Sequence, residues 1–315
     1  MEKIDVHHHM LPAEYVKKWN ESGAVPKGLT VPSWSIEMDL EFMDRNGIRA
    51  SILSLSAPGL AFVGSLEESV KLCRWVNEYA AEIRTANPTR FGFFATLPPL
   101  DQLGACIEEV RYAFDVLKAD GVTLLTSYDD KYLGHPDFRP LWEELERRHA
   151  VVFVHPTNAK TWGASSNTAV PRPILDFPHE TTRTAVSLIT SNTVRDFPNC
   201  KIILSHGGGT LPYMATRVAN QTADVGLIEK SSDEFLQDAK CFYYDLALTA
   251  YDGPISLLKE FAKKDHILYG SDFPFAREKT IAPQIANIQS APIDDETRLS
   301  INSGAAGKLF PRFSM

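Results

Sequence analysis

Eight times along this chain, a short apolar run of strand character is followed by a stretch with helical periodicity. The strand-like runs are Ile4 to His9, Ile48 to Ser56, Phe91 to Leu97, Gly121 to Leu125, Val151 to Pro156, Lys201 to His206, Phe242 to Leu246 and His266 to Asp272. Between them the spacing of apolar residues predicts helices over Ile36 to Asn46, Leu66 to Ala86, Asp101 to Leu117, Phe138 to Arg148, Thr181 to Asp196, Leu211 to Asp224, Asp233 to Lys240 and Ile255 to Lys263. Eight such units in 315 residues point to an α/β fold, a closed (β/α)8 TIM barrel. Runs such as Val151 to Val154 suit strands buried on both faces. A doubly wound open sheet is the alternative, but no GxGxxG follows the first strand. A proline-rich loop is inserted after the first strand, and extra helices follow the last. With no linker or repeat, residues 1–315 read as one barrel domain.

A barrel carries its chemistry at the C-terminal ends of its strands. Ile4-Asp5-Val6-His7-His8-His9 alternates in the manner of a strand, so His7 and His9 aim two imidazoles at one point while His8 faces the other way. Strand five ends in His155, strand six in His206 and strand eight in Asp272. Any one of these is unremarkable as a structural cap; polar groups at the ends of four strands are a constellation. Three neutral imidazoles and a carboxylate suit a single divalent ion with an open position. Asp5 is either a partner that orients a histidine or a strand-start residue.

The net charge of −8 gives no support to a nucleic-acid or anionic-membrane partner. No apolar run approaches the roughly 20 residues of a membrane span. The start of the chain shows no secretory pattern, and Cys73, Cys106, Cys200 and Cys241 are scattered without CxxC spacing. A cytoplasmic protein is expected.

Together with Val154-His155-Pro156, Ser205-His206-Gly207-Gly208-Gly209, Tyr269-Gly270-Ser271-Asp272-Phe273-Pro274 and Pro178-His179-Glu180-Thr181-Thr182, the N-terminal histidine strand resembles the decarboxylase branch of the amidohydrolase superfamily. That branch takes in aminocarboxymuconate-semialdehyde decarboxylase and the 6-methylsalicylate enzymes, and the likeness runs through essentially the whole chain. It implies a carboxy-lyase in which His7, His9, His155 and Asp272 bind the metal, and His206 acts beside it, with Asp272, as acid or base. Zinc is favoured by three histidines, with manganese the alternative. No lysine follows strand four where two-metal hydrolases keep one; Lys131 reads as a loop residue.

The resemblance also places an arginine at Arg217 that reaches the neighbouring subunit's pocket, so a homodimer is implied; a plain surface arginine is the other reading. The muconate-semialdehyde members carry a substrate-binding arginine where this chain has Thr30, just upstream of Trp34, and no arginine lies between His9 and Arg45. Their dicarboxylate substrate therefore fits less well than a small aromatic acid with an ortho hydroxyl, of which 6-methylsalicylate is the model. Trp34, Trp162, Phe177, Phe273 and Phe275 are candidates to wall its ring, or core residues. Gly207 to Gly209 read as a tight turn that also leaves the pocket floor open. The competing function is a metal-dependent hydrolase of a lactone or amide.

Overall fold

The structure, a computed structural model, describes residues 1–25, 30–158 and 170–314. Eight parallel strands form one sheet in chain order: β1 (Lys3–Met10), β2 (Ile48–Leu55), β3 (Phe91–Ala95), β4 (Gly121–Leu125), β5 (Val151–His155), β6 (Lys201–Leu204), β7 (Tyr243–Asp245) and β8 (Ile267–Leu268). The last strand returns to the first through residues beyond its end. Val6 donates its N–H to the Tyr269 carbonyl (3.1 Å), Asp272 to that of His7 (2.8 Å), and His9 to that of Phe273 (2.8 Å). These bonds close the (β/α)8 barrel.

The helices begin and end where local chemistry dictates. Two lie between β1 and β2: α1 (Ala13–Glu21) and α2 (Ile36–Asn46). Ser35 caps α2 by accepting from the Met38 N–H, and Gly47, at φ 64°, stops it in a left-handed turn. α3 (Leu66–Ala86) is capped by Ser65 in the same way. α4 (Leu103–Asp115) and α5 (Arg139–Arg147) follow. Next come α6 (Arg172–Thr190), α7 (Thr193–Asp196), α8 (Leu211–Asp224), α9 (Ser232–Ala239), α10 (Asp252–Phe261) and α11 (Glu278–Ser290). The expected C-terminal additions are α12 (Asp295–Leu299) and α13 (Ala305–Leu309). Ala305, Ala306, Phe310 and Phe313 pack with Ile4, Ala50, Ile52, Phe94, Val151 and Leu268, so the end of the chain plugs the bottom of the barrel. No helix of the described residues is long and apolar enough to cross a membrane.

Three expectations are corrected. The helix expected over Thr181 to Asp196 starts at Arg172 and breaks at Asn192, which sits at φ 62° before the short α7. Pro173 lies in the first turn, where proline is tolerated. Pro178 lies inside the helix and removes one bond to residue 174, where Ile174 is solvent-exposed and water can replace it. The strand expected over His266 to Asp272 keeps only two residues in regular pairing, because Tyr269 to Asp272 turn toward β1 instead. Finally, Lys131 belongs to a small antiparallel hairpin that pairs Ser127–Tyr128 with Lys131–Tyr132, and its ammonium is held by Asp137 at 2.5 Å.

Candidate metal centre

At the top of the barrel, His7, His9, His155 and Asp272 are buried, and each offers one ligand atom within 4.8 Å of the others. The Nε2 atoms of His7 and His9 are 3.1 Å apart. Asp272 Oδ1 stands 3.1 Å from His9 Nε2 and 3.4 Å from His7 Nε2. Only the pleat of β1 delivers two imidazoles to one point; the others arrive from β5 and from the turn after β8.

The outer nitrogens decide what the inner ones can do. His7 donates through Nδ1 to Asp245 Oδ2 (3.0 Å), at the end of β7. His9 Nδ1 donates to Ser54 Oγ (3.0 Å), whose own proton goes to the His8 carbonyl (3.2 Å). His155 Nδ1 donates to the Pro156 carbonyl (2.9 Å). With its Nδ1 proton committed in this way, a neutral imidazole presents a bare lone pair at Nε2. Three such imidazoles and a carboxylate oxygen converge, and with their inner nitrogens unprotonated they form a donor set for a divalent cation.

The electrostatics agree. Burial disfavours charge on His7, but the Asp245 and Asp272 carboxylates override it and raise its pKa to about 10. Burial, reinforced by neighbouring imidazoles, lowers His9 and takes His155 well below the usual histidine range. Asp272 is also buried, yet hydrogen bonds from His206, His7 and His9 hold it well below the ordinary carboxylate range. The cluster is therefore built around one concentrated positive charge, whether a proton on His7 or a metal ion.

His206 lies in the turn after β6, its Nε2 3.8 Å from Asp272 Oδ2. Asp245 fixes it too, with Oδ1 accepting from the His206 N–H (3.1 Å) and from that of Ala247 (2.9 Å). His206 (φ 54°) and Asp272 (φ 62°) both hold left-handed backbone conformations that cost a non-glycine residue free energy. Closed contacts around them hold the strain in place. A Cβ on Gly270 would stand 2.8 Å from the His7 Cβ, and one on Gly209 (φ 64°) would meet the Pro178 carbonyl at 1.9 Å. A Cβ on Gly208 would meet the Tyr244 ring at 2.5 Å, so these glycines serve the turn and its packing rather than leaving a floor open.

Asp245 is the residue that sequence reasoning missed, although it obeys the strand-end rule that found the others. Asp5 does not touch a ligand imidazole. Its Oδ1 accepts from the Ser271 and His7 N–H groups (3.0 and 3.2 Å), and its Oδ2 accepts from His8 Nδ1 (3.0 Å). His8, facing outward as expected, also pairs with Asp39 of α2 at 3.2 Å.

Among the aromatic candidates, the Phe275 ring stands edge-on to His9 (5.5 Å) and Phe177 to His155 (6.2 Å). Phe273 stacks instead on Phe42 of α2 at 4.0 Å, and Trp34 packs on Tyr79 of α3 at 6.3 Å, so neither ring is brought to the cluster within this chain. Trp162 lies outside the described residues. Arg217 is exposed on α8, with no ion pair or hydrogen bond among the described residues.

The amidohydrolase family model matches residues 4–312. The chain belongs to the amidohydrolase family. This amidohydrolase is 48% identical to the decarboxylase macB of Penicillium terrestre, over 99% of this chain and 96% of that protein. It is 42% identical to the 6-methylsalicylic acid decarboxylase of Penicillium expansum, over 99% and 97%. A solved 2,6-dihydroxybenzoate decarboxylase in complex with 2,6-dihydroxybenzoate superposes with a TM-score of 0.82 at 25% identity, covering 99% of both chains.

Proposed function

We propose that this amidohydrolase is a metal-dependent, non-oxidative decarboxylase of a hydroxylated aromatic acid, with 6-methylsalicylate as substrate and 3-methylphenol and carbon dioxide as products. The observation that carries the reading is the His7–His9–His155–Asp272 cluster, in a chain 42% identical to a 6-methylsalicylic acid decarboxylase over nearly its full length. A hydrolase of the two-metal kind finds no support at Lys131, whose ammonium is engaged with Asp137.

In this reading His7, His9, His155 and Asp272 hold one divalent ion, zinc by its imidazole content or manganese by its carboxylate. Bound there, the ion supplies Lewis-acid attraction for the substrate's carboxylate and ortho oxygen. Asp245 and Ser54 keep the imidazoles oriented, and Phe275 and Phe177 limit water. The facing pair Asp272 and His206 handles the proton that must reach the ring carbon bearing the carboxylate. As that carbon gains hydrogen, its bond to the carboxylate breaks, the electron pair returns to the ring, and carbon dioxide leaves.

A homodimer completes the proposal, with Arg217 of one subunit meeting the substrate carboxylate of the other and Trp34 and Phe273 contributing from the pocket's edge. The exposed Tyr213 on α8, one turn from Arg217, and the exposed Ile174 and Leu175 on α6 provide apolar surface for such contact. Each chain works as a single barrel domain, in the cytoplasm, where its four free cysteines suit reducing conditions.

The deciding experiment is carbon dioxide release from 6-methylsalicylate before and after chelation. Release that chelation abolishes and added metal restores is the expected result. An intact acid in the presence of metal-loaded protein rejects the substrate. A lactone opened by that same preparation rejects the reaction class.

A further inference from the structure

Where α2 packs on β1, a second row of charged groups lies outside the metal cluster. Asp5, His8 and Asp39 are each 0% exposed. His8 stands between the two carboxylates, with Nδ1 donating to Asp5 Oδ2 (3.0 Å) and Nε2 3.2 Å from Asp39 Oδ1. The first contact is a directed hydrogen bond. The second is an ion pair held by charge, since neither Asp39 oxygen has a hydrogen-bond partner of good geometry. Apolar side chains of similar size would fill this space at less cost than three buried ionisable groups.

The row ends at the metal centre. Asp5 Oδ1 accepts from the His7 N–H (3.2 Å) and from the Ser271 N–H (3.0 Å). One carboxylate therefore joins a ligand on β1 to the residue just before a ligand in the turn after β8. Asp272 sits at φ 62°, a conformation that persists only where its surroundings hold it. Asp5 can do the holding because its other oxygen is occupied by His8, and His8 is drawn at its opposite edge to Asp39.

Helix α2 reaches the same turn by a second route. Phe42 stacks on Phe273 at 4.0 Å, and the His8 ring lies 5.4 Å from Phe273. The residues on both sides of Asp272 are thus referred to one helix, Ser271 through the charged row and Phe273 through ring contact. Ring contact sets a distance, whereas a hydrogen bond also sets a direction.

We propose that Asp39 is a positioning residue for the metal centre, acting through His8 and Asp5 to fix the backbone turn that aims the Asp272 carboxylate. Asp245 and Ser54 orient imidazoles, and this row orients the fourth ligand. Its effect on the ion rests on the metal centre of the decarboxylase reading; its effect on the turn does not.

The test joins metal titration of Asp39→Asn to hydrogen exchange of residues 269–273 in the chelated protein. Met43→Ala is the control, because it opens a cavity beneath α2 and removes no charge. The expected result is a metal affinity roughly tenfold weaker in Asp39→Asn, with severalfold faster exchange at the Ser271 amide. Met43→Ala should show neither, although its melting temperature falls. His8→Asn, which can keep a donor to Asp5 but loses the nitrogen facing Asp39, is a second way to break the row and should match Asp39→Asn. The double variant D5N/D39N should bind metal no more weakly than D5N alone, within about twofold. Losses that multiply in the double variant, equal losses in Met43→Ala, or unchanged exchange and affinity in Asp39→Asn and His8→Asn each overturn the proposal. A wild-type protein that takes up no metal rejects the metal centre instead, and exchange in the metal-free protein still decides what Asp39 does to the turn.

Discussion

The two halves of the barrel mouth are built on opposite plans. On the side formed by β1 and β5 to β8, the imidazoles of His7, His9 and His155 each have the outer nitrogen tied down, to Asp245, to Ser54 or to the Pro156 carbonyl. On the side formed by β2 to β4, leucines line a recess that none of the clustered histidines enters. Those three imidazoles are committed before any ligand arrives, as they must be in a cation site that needs their bare lone pairs. The second half has no lysine, arginine or histidine among the described residues that line it. One strand scaffold thus supports a charged metal-type centre and a leucine-walled recess, because the strand ends are independent positions.

The sharpest way to break this contrast is to remove a ligand from the committed side. His155→Ala is expected to lose stoichiometric metal and all measurable carbon dioxide release, while Leu97→Ala across the mouth keeps its metal; elemental analysis of both proteins checks it. Next in size is Asp245→Asn, which leaves every ligand in place but disturbs the His7 tautomer and the His206 turn. Loss of such a partner typically lowers metal affinity or activity 10- to 100-fold, measured by metal titration. Ser54→Ala examines the side-chain hydrogen bond that β2 makes to the His9 imidazole, and a loss of about fivefold in metal affinity is expected from one neutral hydrogen bond.

The smallest effect is on stability against pH. His7 has its pKa raised from 6.5 to about 10 in the metal-free protein, by Asp245 and Asp272 against the opposing effect of burial. A raised pKa contributes stability that is fully present below 6.5 and lost as pH climbs through about 10. As a metal ligand His7 carries no such proton, so the urea midpoint of chelated protein should fall more steeply over that range than that of loaded protein. His8, raised by Asp39 and Asp5 despite its burial, contributes equally to both forms and cancels in the difference. Parallel curves would mean that His7 is not where the charge resides.

Much of this architecture is legible in the residue string, for definite reasons. The barrel follows from eight alternations, and His7, His9, His155 and Asp272 follow from the rule that chemistry sits at strand ends. Asp245 was open to the same rule, but one apolar residue beyond it, Leu246, makes it look internal to its strand. Ser54 was not legible, because a serine in an apolar strand gives no sign of which imidazole it will face across the sheet. The roles of Phe273 and Phe275 depend on how the chain turns after β8, and that turn is fixed by bonds to β1 at the far end of the sequence. Helix α6 was misjudged because prolines look like breakers, whereas its first turn tolerates Pro173 and the exposed backbone at Ile174 tolerates the bond lost at Pro178.

The bonds joining Asp272 to His7 have a consequence for synthesis. His7 and His9 are synthesised well before Asp272, so a nascent chain still short of Asp272 carries histidines with no carboxylate to complete them. The Phe310 and Phe313 plug emerges later still. A full set of ligands thus exists only once synthesis has passed Asp272 and the strand ends have closed on one another.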